Sequence, residues 1–309
     1  VSSSDGEIAA IEKIRRALAS PPCGEVWIGD DTAVVAGSAG SLLLAADAVV
    51  EGVHFDLDLV DAADVGWKAL AVNVSDVAAM GGEPKHALVT VVGAGASMIE
   101  GLARGLGEAS AAYGCAIVGG DLSAGPCLVV SVAITGLCAQ GGAVLRSQAR
   151  AGDALFVTGP LGRSAAGLRG LRAESEGSPA TAADLVAAYR RPLARLAEGH
   201  AASQSGASAM IDVSDGLGID LDRLASASGV GVVLEVIPVA EGATAEDALG
   251  GGEDYELVFA ASDEQAVAKA FAAAALRPPI RIGLCVEDPA TRRLGDEPLE
   301  AKGWEHRLR

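Results

Sequence analysis

Positive charge is scarce in this chain of 309 residues: 23 Lys and Arg stand against 41 Asp and Glu, a formal net charge of −18. That balance disfavours any partner held through a phosphate backbone, so nucleic acid is not an expected ligand. A small polyphosphate suits such acidity only if divalent cations sit between its oxygens and the carboxylates. Aromatic residues are also few, with three Trp, three Tyr and four Phe. Cores must then be filled by Ala, Val, Leu and Ile, which favours an α/β enzyme over an aromatic-rich β-sandwich. The five cysteines (Cys23, Cys115, Cys127, Cys138 and Cys285) are odd in number and form no C-x-x-C pair, which speaks against a zinc or redox centre and for a reducing compartment. No run approaches the roughly 18 apolar residues of a membrane span. The opening Val1-Ser-Ser-Ser-Asp-Gly-Glu7 lacks the basic and apolar regions of a secretory leader, so a cytoplasmic protein with no membrane partner is expected. Phosphate cradles of known type are missing as well: there is no G-x-x-x-x-G-K-[ST], no complete G-x-G-x-x-G and no H-R-D loop, so any phosphoryl transfer must use another architecture.

What is present is an apolar half and 40 glycines, enough to bury one large or two medium α/β cores with many tight turns. Ser4-x-x-Glu7 before Ile8, Ile11, Ile14 and Leu18 predicts a capped amphipathic helix ended by Pro21-Pro22. Short apolar runs at 26–28, 32–35 and 42–46 predict strands, and helical spacing over 62–80 closes on Gly81-Gly82. A strand at 89–92, a helix opened by Ser97-x-x-Glu100 and running to Tyr113-Gly114, and strands at 117–118 and 128–134 on either side of a Gly119-Gly120-Asp121 turn complete a first half. The polar, basic segment 140–152 is the expected boundary, giving an N-terminal domain over 1–140 and a C-terminal α/β domain over 150–309. In the second half, strands are expected at 155–157, up to 211, at 232–234, 256–259 and near 282. Helices are expected across 165–201, from 217 and over 266–274, with a surface loop at 173–183. The fold class is therefore α/β to α+β, two mixed domains side by side.

Aspartates recur beside Gly or Ser directly after apolar runs: Gly29-Asp30-Asp31, Ala46-Asp47, Ser75-Asp76, Gly119-Gly120-Asp121 and Asp212-Val213-Ser214-Asp215-Gly216. Strand ends are where open α/β sheets keep ligands. Any single one is equally well explained as a turn; their number favours a site. Convergent carboxylates would raise one another's pKa unless cations neutralised them, and hard oxygen ligands without His or Cys select magnesium over zinc. Asp212 and Asp215, three apart on a turn entering a helix, are expected to aim at one cation while Ser214 and the backbone amides face an anionic oxygen. Arg146 could clamp a phosphate bidentately, the alternative being an ordinary surface Arg in a linker.

Six segments, Gly29-Asp-Asp-Thr-Ala-Val-Val35, Asp47-Ala-Val-Val-Glu-Gly-Val-His-Phe55, Asn73-Val-Ser-Asp-Val-Ala-Ala-Met-Gly-Gly82, Gly119-Gly-Asp121, Asp212-Val-Ser-Asp-Gly-Leu217 and Gly251-Gly-Glu-Asp-Tyr-Glu-Leu257, occur together in one order. The combination resembles the thiamine-monophosphate kinase family, within the aminoimidazole ribonucleotide synthetase-like superfamily. The resemblance implies an N-terminal domain that completes a β-barrel across a homodimer and holds ATP near the cleft. It implies several magnesium ions on Asp30, Asp47, Asp76, Asp121, Asp212 and Asp215, with Gly120, Asp121, Arg146 and Ser214 contacting ATP. His54, Glu253 and Trp304 stand where the family binds its thiamine phosphate. Read from residues alone, Trp304 is equally a ring for stacking on a cationic heterocycle or a core filler, His54 a loop histidine and Glu253 part of a solvated turn. In two places the chain departs from the family: Ala45 and Ala46 stand where hydroxyl side chains usually precede Asp47, and no aromatic lies in 102–106.

The expected reaction is in-line transfer of the γ-phosphoryl group of ATP to the phosphate of thiamine monophosphate, with Asp76, Asp121, Arg146 and Asp212 as the catalytic set and no covalent intermediate on the protein. Two rivals were weighed: a sibling ATP-using enzyme acting on a purine or metallocentre precursor, and a non-catalytic nucleotide-binding protein.

Overall fold

Thr32 and Val34 are buried while Ala33 and Val35 are only partly so, as in a strand with one covered face. A computed structural model describes residues 23–26, 30–37, 40–138 and 141–306; the expected helix over 4–18, most of the 26–28 strand and Gly29 lie outside them. Strands β1 (Ala33–Gly37), β2 (Gly40–Val50), β3 (Glu83–Val92), β4 (Ala116–Ser123) and β5 (Val129–Leu137) form a five-stranded sheet in the order β1-β2-β5-β3-β4. All pairings are antiparallel except β3 with β4, and that parallel pair requires a crossover. Helix α2 (Ala96–Tyr113) supplies it, ending on Gly114 at φ 64, the left-handed stop that glycine adopts without strain. The helix begins at Ala96, capped by Gly95 without a side-chain bond, so Ser97 does not serve as the expected cap. The end strands of this sheet are β1 and β4, Val26 bridging Val34 on the outer side of β1; among the described residues no barrel closes within one chain.

Helix α1 (Ala62–Ala79) starts at Asp61, whose carboxylate accepts the Ala63 and Asp64 amides, the usual remedy for orphan donors at a helix start. It is pressed against α2 backbone to backbone: a Cβ on Gly105 would lie 1.8 Å from the Ala63 carbonyl. The second half holds a seven-stranded sheet, β12-β11-β8-β10-β6-β9-β7, built from β6 (Ala154–Val157), β7 (Ala209–Asp212), β8 (Gly231–Leu234), β9 (Leu257–Ala261), β10 (Ile280–Val286), β11 (Arg292–Leu294) and β12 (Glu297–Pro298). Its helices are α3 (Arg163–Ser175), α4 (Ala183–Arg190), α5 (Leu196–Gln204), α6 (Leu217–Ser228), α7 (Ala245–Gly250) and α8 (Glu264–Ala273). Every residue of β6, β7 and β9 is buried, hence their near-continuous apolar runs.

Helix α1 serves both halves. Leu70, Val74 and Val77 join the first core, while Ala78 and Ala79 join the cluster of Phe156, Phe259 and Phe271. One sequence expectation is corrected here: Gly119, Gly120 and Asp121 do not form a turn but lie inside β4, in register with Leu88, Val89 and Thr90 of β3. The glycine is there for close approach, since a Cβ at Gly120 would meet the Val89 carbonyl at 1.8 Å. Among the described residues no helix is long and apolar enough to cross a membrane.

Candidate active site

Helix α1 lays out the site along its length. Lys68 and Asp76 are eight residues apart, about 12 Å along the axis and on neighbouring faces. One end of the helix carries carboxylates, the other an ammonium.

At the Asp76 end, carboxylate oxygens of Asp31, Asp76 and Asp212 lie within 4.8 Å of one another. Asp31 comes from the turn before β1, Asp76 from the last turns of α1 and Asp212 from the end of β7, so three distant segments meet. Two like charges at such a distance repel by about 3 kcal/mol at an effective dielectric of about 20. Burial first, then the neighbouring carboxylates, pushes Asp76 and Asp212 well above the usual carboxylate range. Burial also raises Asp31, against the pull of Arg146, and burial with the Asp31 charge raises Asp30 to about 6. Ser75 Oγ donates to Asp212 Oδ2 at 2.5 Å.

Arg146 is no surface residue. Its Nη2 sits 2.8 Å from Asp31 Oδ1 and its Nε 3.4 Å from Asp30 Oδ1, while its amide donates to Asp30 Oδ2 at 3.1 Å. Burial lowers its pKa, but Asp31 and Asp30 more than offset this and hold it above the ordinary value. One guanidinium cannot balance four carboxylates, and Asp31 Oδ2 is buried without a hydrogen-bond partner among the described residues. An all-oxygen, uncompensated, buried donor set of this kind fits a hard divalent cation.

The other predicted residues fall around this centre in different ways. Asp47, on β2, is open to solvent on one side but crowded enough that burial raises its pKa, and its nearest charges include His54, Asp215 and His306. Its amide is held by Asn73 Oδ1 at 2.9 Å. Asp215 stands outside the group that Asp212 forms with Asp31 and Asp76. Arg223 Nη1 takes Asp215 Oδ2 at 2.5 Å, and Asp220 Oδ2 accepts the amides of Asp215 and Gly216 at 2.9 and 3.0 Å. Those two amides are thus already occupied by a carboxylate and not turned to a ligand. Ser214 is half-buried on the same turn, its carbonyl accepting the Glu253 amide at 2.6 Å. Gly120 and Asp121 stay apart from the cluster, exposed on the β4 edge strand, with Ser123 Oγ donating to Asp121 at 2.8 Å.

At the Lys68 end the charges balance. Lys68 Nζ donates to Glu253 Oε1 and Oε2 at 3.1 and 3.0 Å and to the His54 carbonyl at 3.3 Å. His54 Nδ1 accepts the Val50 amide at 3.1 Å, which places the ring proton of the neutral form on Nε2; burial lowers its pKa, against Glu253 and Asp47, which raise it. Trp304 is 52% exposed, so it is not a core filler. Its amide donates to the Asp215 carbonyl at 2.9 Å, and its ring meets His306 edge-on at 6.1 Å, with His306 in turn 5.5 Å from the His54 ring. The C-terminal segment therefore brings two rings, Trp304 and His306, up to His54.

Sequence reasoning missed Asp31 as a site residue and Lys68 altogether. Adjacent Asp30 and Asp31 offered no way to choose between them. Lys68, however, stood as a lone charge within Trp67-Lys-Ala-Leu-Ala-Val72, a signal that could have been read.

Two domain families match the chain: AIR synthase related protein, N-terminal domain, over residues 29–138, and AIR synthase related protein, C-terminal domain, over 150–294. The chain is thus of the AIR synthase-related class. Similarity within that class is more specific. The thiamine-monophosphate kinase of Bacillus subtilis (strain 168) is 37% identical over 303 residues, 91% of this chain and 93% of that one. That of Aquifex aeolicus (strain VF5) is 38% identical over 269 residues, 82% and 85% of the two chains. A solved structure of AaThiL complexed with AMPPCP and TMP superposes with a TM-score of 0.85 at 34% identity, covering 97% of each chain. The chain belongs to the thiamine-monophosphate kinase family.

Proposed function

We propose that this protein transfers the γ-phosphoryl group of ATP to the phosphate of thiamine monophosphate, giving ADP and thiamine diphosphate. The observation that carries the reading is the convergence of half-buried Asp31 and Asp76 with buried Asp212 toward one end of α1, with the charge-balanced Lys68–Glu253 pair and three aromatic rings toward the other. The likeness to a kinase structure holding AMPPCP and TMP supports it.

A terminal phosphate oxygen of the acceptor attacks the γ-phosphorus, and the bond from that phosphorus to the β–γ bridging oxygen breaks, leaving ADP. The nucleophile is already ionised at neutral pH, so no general base is required. Magnesium, when bound, supplies Lewis-acid neutralisation of phosphate charge. Asp31, Asp76 and Asp212 are the residues to hold it, with Asp30 and Asp47 beside them. Arg146, held beside Asp30 and Asp31, is the guanidinium that would bind a phosphate there. His54, Glu253 and the exposed face of Trp304 receive the heterocycles, the indole suiting a cationic ring. Gly120, Asp121 and Ser214 are assigned to ATP, and Asp121 and Asp215 to further magnesium ions. In this reading residues 1–140 bind nucleotide and metal, and residues 150–309 form the partner domain.

Gly120 and Asp121 are distant from the carboxylate cluster on an open sheet edge, and Leu88, Val118 and Leu122 on β3 and β4 are 52, 60 and 67% exposed. Both features support a homodimer that covers this sheet, since exposed apolar edge strands invite pairing. Sedimentation should give twice the chain mass; a monomer at micromolar concentration removes the dimer from the proposal. The activity itself is tested by incubating the protein with ATP, Mg²⁺ and thiamine monophosphate and measuring ADP and thiamine diphosphate together. Equal formation of both, absent with free thiamine, is expected; ATP binding without either product refutes the assignment.

A further inference from the structure

We infer that Lys68 is a positioning residue that sets the substrate end of the site by fixing Glu253 and the His54 turn across the two halves of the chain; the inference rests on the function proposed above. Lys68 is 1% exposed, among the largest fully buried side chains of the described residues. A buried lysine is costly unless paired and hydrogen-bonded, so its position calls for an account. Its ammonium has three donors and three acceptors within reach: both Glu253 oxygens and the His54 carbonyl. It also lies 4.2 Å above the centre of the Tyr189 ring, a favourable cation–π contact at a buried site. Nothing in this set is spare.

Its partners are the two polar residues assigned to the substrate, and they are 199 positions apart in sequence. Glu253 keeps 22% of its side chain open while that of Lys68 keeps 2%. A ligand in the cleft can therefore reach Glu253 but not Lys68, which must act through it. The Glu253 backbone, moreover, is at φ 56, a left-handed conformation that a non-glycine residue holds only when its surroundings impose it. The amide is held by the Ser214 carbonyl and the carboxylate by Lys68. With Lys68 sharing both oxygens, Glu253 presents a fixed, charge-balanced acceptor suited to ring N–H groups, and recognition of a positive charge falls to the exposed Trp304 face.

The test compares Lys68→Met, Lys68→Arg, Glu253→Gln and the double variant Lys68→Met/Glu253→Gln in the full chain. Isothermal titration gives thiamine monophosphate affinity, and steady-state rates give KM for each substrate. Lys68→Met should raise KM and Kd for thiamine monophosphate about tenfold or more while KM for ATP stays within about twofold. Lys68→Arg should recover part of the loss. The double variant should bind no worse than Glu253→Gln, because the two act as one unit. Should Lys68→Met fail to fold, with Glu253 left as an unpaired charge, the double variant against Glu253→Gln carries the same comparison. Equal rises in both KM values, losses that multiply in the double variant, or wild-type affinity in folded Lys68→Met would each overturn the role. Wild-type protein that neither binds nor phosphorylates thiamine monophosphate would overturn the proposed function and this inference with it, an outcome distinct from the others.

Discussion

The two ends of helix α1 solve the same problem, buried charge, in opposite ways. At Lys68 an ammonium, a carboxylate, a backbone carbonyl and an aromatic face complete one another within the protein. At Asp76 three carboxyl groups converge with Asp30, and Arg146 is the one cation paired with them among the described residues, leaving burial and mutual repulsion to raise the pKa values of Asp76 and Asp212. A satisfied network fixes geometry, whereas an unsatisfied one marks where a ligand of the missing charge belongs.

The sharpest way to break the contrast is Asp76→Asn. Turnover should fall by about a thousandfold or more, since charge neutralisation carries most of phosphoryl-transfer catalysis. Thermal stability without metal should rise, because a repelling buried carboxylate has gone. Calorimetry in a chelator beside steady-state rates checks both, and a destabilised Asp76→Asn would mean that the cluster is compensated by something else. Next in size is the cation itself. Mg²⁺ at about a hundred times its Kd should stabilise wild type by about 2.7 kcal/mol. Glu253→Gln should keep that gain and Asp76→Asn should lose most of it, so a loss in Glu253→Gln would show the two ends to be one coupled site.

The pH dependence separates the ends further. Burial, the first cause in each case, raises Asp254 and Asp220 from 3.8 to about 7 and, with the Asp31 charge, Asp30 to about 6. The folded state therefore holds protons that the unfolded state has released. The stability these groups contribute is fully present below about pH 4 and is lost as pH rises through their folded values. Metal-free protein should melt lower at pH 8 than at pH 5, and Mg²⁺ should remove only part of that slope, because Asp254 binds the amides of Gly162 and Ser164 away from the cluster. A flat melting profile in chelator would contradict it. The smallest effect is expected from Ser75→Ala, which removes the bond to Asp212: roughly 1 kcal/mol of stability and a few-fold in rate.

How much could be read beforehand divides by the range of the interaction. The span 62–80 matched α1 because its apolar spacing and Gly81-Gly82 stop are local, and the Leu217 helix start was likewise set by neighbours in sequence. The Gly119-Gly120-Asp121 segment was misjudged because its glycines serve contact with β3 about 30 residues away and not a turn of their own. The partners of Asp215 were hidden for a similar reason: Asp220 and Arg223 in α6 hold its amide and its carboxylate.

Composition, periodicity and the order of motifs were enough for the fold class and the family, since each is carried by residue type and by spacing along the chain. Tertiary structure alone decided that Asp31 joins Asp76 and Asp212, that Arg146 is buried between carboxylates, that Trp304 is open, and that Lys68 spans the halves. Each of those facts is a meeting of segments separated by 40 residues or more. Charge balance at a point depends on what converges there in space, and sequence spacing places no limit on that convergence.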